Sequence, residues 1–399
     1  MPGFSGNAPF FPEKDFYFSG PGTFKNMRIL IHAANLTAGG GLAVGKEIIS
    51  AWLREGLELF VLASPQITAF LKAEKVPGSC WVTIPESPGS SLRAGIIFRK
   101  IARETEGTFQ PDGVFTVFGP PLWRPSAPHL CGFANGLYFP KNPVMPFGEG
   151  VGFREQIIHR LRRCLVFRSV KKDTDALWVE TENARQKLLS IIGKKQVDVV
   201  PNELSAAFQN ADFPEKDFSK KPPFKVLMVA AAYPHKNFSL LRALAHFPEI
   251  SGLFLFQTTL AEGDFNRYFP QNGDIQNLGP LSSEQLVAAY QNADFVFCPS
   301  RAEIFSATWI EAMAAGRPLL CADLEETRQL CGDAALHFDE SSPESAAGAL
   351  LHLAENISLQ KQLVENGKQQ LAALTPKIPR AARLHELLRL MALKNSALK

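Results

Sequence analysis

Strong charge of one sign is missing from this chain. Against 42 Lys and Arg stand 39 Asp and Glu, a net charge of +3 over 399 residues, so the whole molecule exerts no general pull on nucleic acid. Its basic and aromatic residues do not interleave into a nucleic-acid platform either. Cysteine is scarce: Cys80, Cys131, Cys164, Cys298, Cys321 and Cys331 are scattered, with no C-x-x-C pair. That spacing excludes a zinc ribbon or a disulfide scaffold, and fits reduced, buried thiols in a cytosolic protein. No apolar run reaches the ~20 residues needed to cross a bilayer. Residues 1–26 lack a basic head followed by a continuous apolar stretch, so they make no secretory signal and read as an N-terminal extension. A cytoplasmic globular chain is expected.

What is present is alternation. Apolar runs of strand length ("RILIHAA", "ELFVLAS", "CWVTIP", "GVFTVFG", "HLCGFA", "ALWVET") take turns with helical patterns in the first half. The second half repeats the scheme with "KVLMVAA", "GLFLFQ", "IQNLG", "FVFCPS", "PLLCAD" and "ALHFD". Such alternation predicts parallel sheets covered on both faces. The series breaks at 199–224, a stretch rich in Pro, Asn and Lys, as a connection between domains does. The fold class expected is α/β, with two Rossmann-like domains over residues 27–199 and 200–375. Their parallel sheets face an interdomain cleft, where the strands' carboxyl ends bind ligands. Residues 376–399 predict one amphipathic helix packed across the junction.

Two stretches carry chemistry. In "TAGGGLAVGKEII", 37–49, Gly40 to Lys46 has the spacing of an ATP-binding phosphate loop. Such a loop needs Ser or Thr after the Lys to hold Mg²⁺, and here Glu47 stands there. Gly39, Gly40 and Gly41 still permit a turn with exposed N–H groups at a helix start, which suits an anion. The plainer reading is a tight strand-to-helix turn. In "PSRAEIFSATWIEAMAAGRPLLCAD", 299–323, a strand ends at Ser300 and a helix is predicted over 306–315, with Ser306 as N-cap. Glu303 and Glu311 bracket the amides at that helix start. A diphosphate could sit on the amides, with hydroxyl-bearing groups to either side, which is the layout of a nucleotide-sugar. The plainer reading makes Glu311 a favourable early-helix acid and Glu303 a solvated loop residue.

The second stretch resembles the E-x7-E signature of the retaining glycosyltransferases of family 4, which have the GT-B fold. Pro299, Ser300, Glu303, Phe305, Glu311, Ala312, Met313, Ala314, Gly316 and Pro318 match it, and "CGDAALHFDE" resembles a run downstream of it. The resemblance implies that Glu303 contacts donor-sugar hydroxyls and that Glu311 binds the ribose. It places the phosphates on the amides of Phe305, Ser306 and Ala307, with Gly40 and Gly41 closing over the diphosphate. "AAAYPHKNFSLL", 230–241, sits where the family carries G-R-L-x-x-x-K-G. There Lys236 would neutralise the departing diphosphate. Ala231 replaces the usual Arg, and Arg301 is the candidate to supply that cation. Where many members place a sugar-facing His, this chain has Asn135, which can hydrogen-bond a hydroxyl but cannot act as acid or base near neutral pH.

On this resemblance the chain transfers a sugar from a nucleotide-diphospho sugar to a glycan or lipid-linked acceptor, in surface polysaccharide synthesis. Neither a cofactor nor a metal is expected. The D-x-D at 173–175 resembles a metal motif of another glycosyltransferase fold, but stands where a strand begins. The alternatives are a non-catalytic nucleotide-sugar-binding protein, suggested by Ala231 and Asn135, and a GT-B sugar-nucleotide epimerase or hydrolase. The stretch 154–172 holds seven Lys or Arg and one acid. Its Ile157, Ile158, Leu161 and Leu165 share a helical face, away from Arg160, Arg162 and Arg163. That pattern predicts either an ordinary helix with a solvated basic side or peripheral docking on an anionic membrane, at the inner face of the cell membrane.

Overall fold

The computed structural model describes residues 27–139, 153–270 and 275–397; the extension 1–26 lies outside them. The first sheet contains β1 (Arg28–Ala33), β2 (Glu58–Ala63), β3 (Trp81–Thr83), β4 (Gly113–Thr116), β5 (His129–Gly132), β6 (Ala176–Val179) and β7 (Gln196–Val199). Its order is β3-β2-β1-β4-β5-β6-β7, and every pairing is parallel. The second contains β8 (Phe224–Met228), β9 (Phe254–Thr258), β10 (Ile275–Asn277), β11 (Phe295–Cys298), β12 (Leu319–Ala322) and β13 (Ala335–Phe338). Its order is β10-β9-β8-β11-β12-β13, again all parallel.

Continuous apolar strands are what a sheet buried on both faces requires. Ile29 and Ile31 of β1 pack with Ile48 and Trp52 of the helix Gly39–Arg54, whereas Leu30 between them packs with Phe98 on the other face. The strand that the apolar-run criterion passed over is β7. Its "QVDV" has only two apolar residues and forms an edge, so one side of its backbone has no strand to match.

The connection after β7 leaves the first sheet at once. Phe208 meets Tyr290 edge-on at 5.2 Å between ring centroids, and Lys216 pairs with Asp294 at 3.6 Å, so this segment packs on the second domain. The chain returns to the first domain in the helix Arg380–Ala397. Trp52 Nε1 donates to the Ala381 carbonyl at 2.9 Å, and Leu388 fills the space that a side chain at Gly113 would take. Its first residue, Arg380, is 1% exposed and pairs with Glu47 at 2.6 Å. The Arg380 backbone N–H also donates to Glu203, and its guanidinium to Asn202.

Candidate active site

The site is assembled from turns at the carboxyl ends of the strands. After β8 the chain makes a tight turn over Pro234–Lys236. Asn237 follows with φ +61°, a left-handed conformation that Asn tolerates better than most residues. Its amide donates to the carbonyls of Pro299 at 3.1 Å and Glu340 at 2.9 Å. The Arg301 N–H donates to the His235 carbonyl at 2.8 Å. These bonds lock the Lys236 turn to the loop after β11.

Lys236 Nζ stands 2.6 Å from Glu303 Oε1, with both side chains largely buried. Burial alone would raise the Glu303 carboxyl; the Lys236 ammonium, with His235 and Ser300 behind it, outweighs burial and holds it below its ordinary value. For Lys236, burial would lower the ammonium, and Glu303 reverses the direction. The pair is charged, shielded and short, which is the strong class of hydrogen bond.

The helix Ala307–Ala314 begins beside this pair. Ser306 occupies the N-cap position as expected, although its side chain makes no capping bond. The Trp309 N–H donates to the Ser306 carbonyl at 3.1 Å instead, and the amides before it have no side-chain cap. Glu311, 8% exposed, accepts a 2.8 Å hydrogen bond from the hydroxyl of the fully buried Tyr290. Burial pushes its carboxyl up to about 7, against the pull of that bond.

Across the cleft, Gly39 takes φ +66° and starts the helix Gly39–Arg54, whose N-cap Ala38 offers no side-chain bond. Gly40 and Gly41 lie in its first turn. The Tyr233 hydroxyl donates to the Ala38 carbonyl at 3.3 Å, so the second domain's turn rests on the first domain's glycines. Asn135 Oδ1 accepts from the Leu137 N–H at 3.1 Å, which leaves its exposed amide N–H₂ for another partner. A Cβ on the next residue, Gly136, would stand 3.2 Å from the Glu303 carbonyl. Asn135 thus sits beside the loop of Glu303.

Arg301, on the loop after β11, lines a surface depression of about 470 Å³ with Arg242, His246 and Glu340. Glu47, in the phosphate-loop position, serves Arg380 instead. Lys46 lies over the Phe70 ring at 5.8 Å. Asp175 pairs with Arg124 and accepts from the His129 N–H at 2.9 Å, so the D-x-D braces the start of β6. No cluster of three or more His, Cys, Asp or Glu able to hold a metal occurs among the described residues. Sequence reasoning missed Glu180, a buried carboxyl just beyond β6. Burial raises it to about 7, with Arg380 opposing and Glu303 adding to the rise. An acid ending the apolar run "ALWVE" was the signal for it.

Residues 270–370, which contain the whole of this second-domain loop and helix, match the family described as glycosyl transferases group 1. No curated protein matches the chain by sequence. Among solved structures, the sucrose-phosphate synthase from Thermosynechococcus elongatus superposes with a TM-score of 0.66 at 16% identity, over 92% of this chain and 99% of the other. The fold is GT-B. WaaG, described as a glycosyltransferase involved in lipopolysaccharide biosynthesis, gives a TM-score of 0.67 at 14% identity, covering 91% and 99% of the two chains. Anabaena HepE, solved in complex with UDP and glucose, gives 0.63 at 16% identity, covering 91% and 99%.

Proposed function

We propose that the chain is a retaining glycosyltransferase of the family 4 type, with Glu303 and Glu311 as its E-x7-E pair. It moves a sugar from a nucleotide-diphospho sugar to a glycan or lipid-linked acceptor in surface polysaccharide synthesis. One observation carries the reading: the Lys236–Glu303 pair lies beside an uncapped helix start and across the cleft from a glycine turn. The group 1 match over 270–370 supports it.

In this mechanism the acceptor hydroxyl attacks the anomeric carbon on the face that the nucleotide leaves, and the departing phosphate oxygen accepts its proton. The protein positions the reactants and stabilises negative charge on the leaving group. Lys236 and the amides of Phe305, Ser306 and Ala307 carry that charge, without a metal. Glu303 orients the sugar hydroxyls, Glu311 the ribose, and Asn135 offers its amide to the sugar. A thermal-shift screen across nucleotide-sugars is expected to find one stabilising donor, with the shift lost in Glu311→Ala. Nucleotide release should then require an acceptor. Release without acceptor would make the protein a hydrolase or epimerase, and binding without release would make it a non-catalytic binder.

Peripheral contact with an anionic membrane through 154–172 belongs to the same reading. Among the described residues, no helix is long and apolar enough to cross a membrane. The helix Phe153–Asp173 packs on the core through Val166, Phe167 and Val170, not through the face that its spacing suggests. Ile157, Ile158, Leu161 and Leu165 point outward, the last two 60% and 65% exposed. The helix Leu92–Phe109, on the same side of the sheet, exposes Leu92, Ile96 and Ile97 as well. Outward apolar residues among arginines suit an anionic lipid surface. Flotation with phosphatidylglycerol vesicles is expected for the native protein and not for Leu161→Asp/Leu165→Asp. Equal recovery on phosphatidylcholine vesicles, or none on either, would end the membrane part of the reading.

A further inference from the structure

Resting on that reading, we infer that Tyr233 is a donor-positioning residue, its phenol O–H donating to the sugar-side phosphate of a diphosphate held between the two domains. The ring is fixed at its base. Its N–H donates to the Ala231 carbonyl at 2.7 Å and its carbonyl accepts from the Lys236 N–H at 3.0 Å. The same turn is bound to the loop after β11 through His235 and Arg301. Tyr233 therefore keeps a set position relative to the Lys236–Glu303 pair. The ring stacks on His235 at 5.6 Å with an interplanar angle of 12°, and 38% of the residue is exposed, so part of it stays open to a ligand.

The tip of the ring lies at the open end of the helix Gly39–Arg54. A Cβ on Gly39 would come within 3.0 Å of the ring and 3.1 Å of its oxygen, so glycine there makes room for the phenol. The present acceptor, the Ala38 carbonyl at 3.3 Å, is a neutral group at the long end of hydrogen-bond range. A phosphoryl oxygen seated on the glycine turn would offer the same O–H a charged acceptor, which binds about twice as strongly. Ala231, two residues earlier, supplies no cation for this task. The exchange would tie diphosphate binding to the approach of the two domains.

The test is calorimetric titration of the full-length protein with uridine, adenosine and guanosine diphosphates and their monophosphates, using native protein and Tyr233→Phe. The phenylalanine keeps the stack on His235 and loses only the hydroxyl. For the diphosphate that the native protein prefers, Tyr233→Phe should bind about 10-fold more weakly or worse. The monophosphate of the same base should bind both proteins alike, and the melting temperature without ligand should not move. In turnover, the donor KM should rise while kcat changes less. Equal diphosphate affinity in the two proteins, or an equal loss for the monophosphate, would overturn the role of Tyr233. Failure of the native protein to bind any of the diphosphates would instead overturn the reading beneath it.

Discussion

Lys236→Ala is expected to lose turnover and stability together. Turnover should fall about 100-fold or more, the usual effect of removing a preorganised charge from a leaving group. Stability should fall by roughly 3–5 kcal/mol, because Glu303 would keep a buried charge without its partner. These two losses have separate causes, and a second variant separates them. Replacing both members of the pair, as Lys236→Met with Glu303→Gln, removes the stranded charge. Most of the stability should return while activity stays absent, since a buried pair exchanged for neutral groups is close to neutral overall. Urea melts and single-turnover rates on the three proteins measure this. A double variant no more stable than Lys236→Ala would show that the pair does not act as one unit.

The same pair has a pH signature. The folded Glu303 carboxyl lies below its ordinary value of 4.5, chiefly because Lys236 offsets the effect of burial. Its contribution is therefore complete above the unfolded value and disappears as the pH falls through the folded one. The stability gap between the native protein and Lys236→Ala should narrow in acid. In the variant, Glu303 can take up a proton and stop being a buried charge.

The parts of the molecule that were legible in the sequence are those whose physics is local. Strands such as "FVFCPS" and "PLLCAD" are apolar at nearly every position because both faces of a parallel sheet are buried, and they lie where the runs predict. Strand β7 escaped because an edge needs less apolar surface. The residues hidden from sequence reasoning are defined by partners far along the chain. Glu47 looked like a carboxylate in a phosphate loop, and its meaning lies 333 residues away in Arg380. That guanidinium also holds Asn202 on the outgoing connection, so the first helix and both domain crossings meet at one buried side chain. Nothing in the sequence singles out Tyr233, because the glycine opposite its ring, Gly39, lies far away along the chain. The helix Phe153–Asp173 left two readings open for a related reason. Spacing identifies a face, but only the neighbouring elements decide whether that face is covered.

Glu311→Gln is expected to stabilise the fold at alkaline pH while removing donor binding. The folded carboxyl of Glu311 keeps its proton up to about 7, whereas its ordinary value is 4.5, and burial is the cause. Between these values the native state holds more protons than the unfolded state, so stability falls as the pH rises through the window and levels off above it. The penalty reaches about 3 kcal/mol above pH 7 at ~1.4 kcal/mol per unit. Glutamine keeps an acceptor for the Tyr290 hydroxyl but never ionises, so the variant should be more stable than native at pH 8 and equal to it near pH 4.5. Glu180 also stands near 7, which is why the difference between variant and native, not the native curve alone, isolates Glu311. A carboxylate held in its costly charged form is the better acceptor for the ribose hydroxyls. Donor affinity of the native protein should therefore rise as the pH passes through 7, and that of Glu311→Gln should stay weak and flat. Denaturant titrations at pH 4.5 and 8, with donor titrations across the same range, measure both effects. Parallel stability curves, or a variant that binds donor as the native protein does, would remove Glu311 from the site.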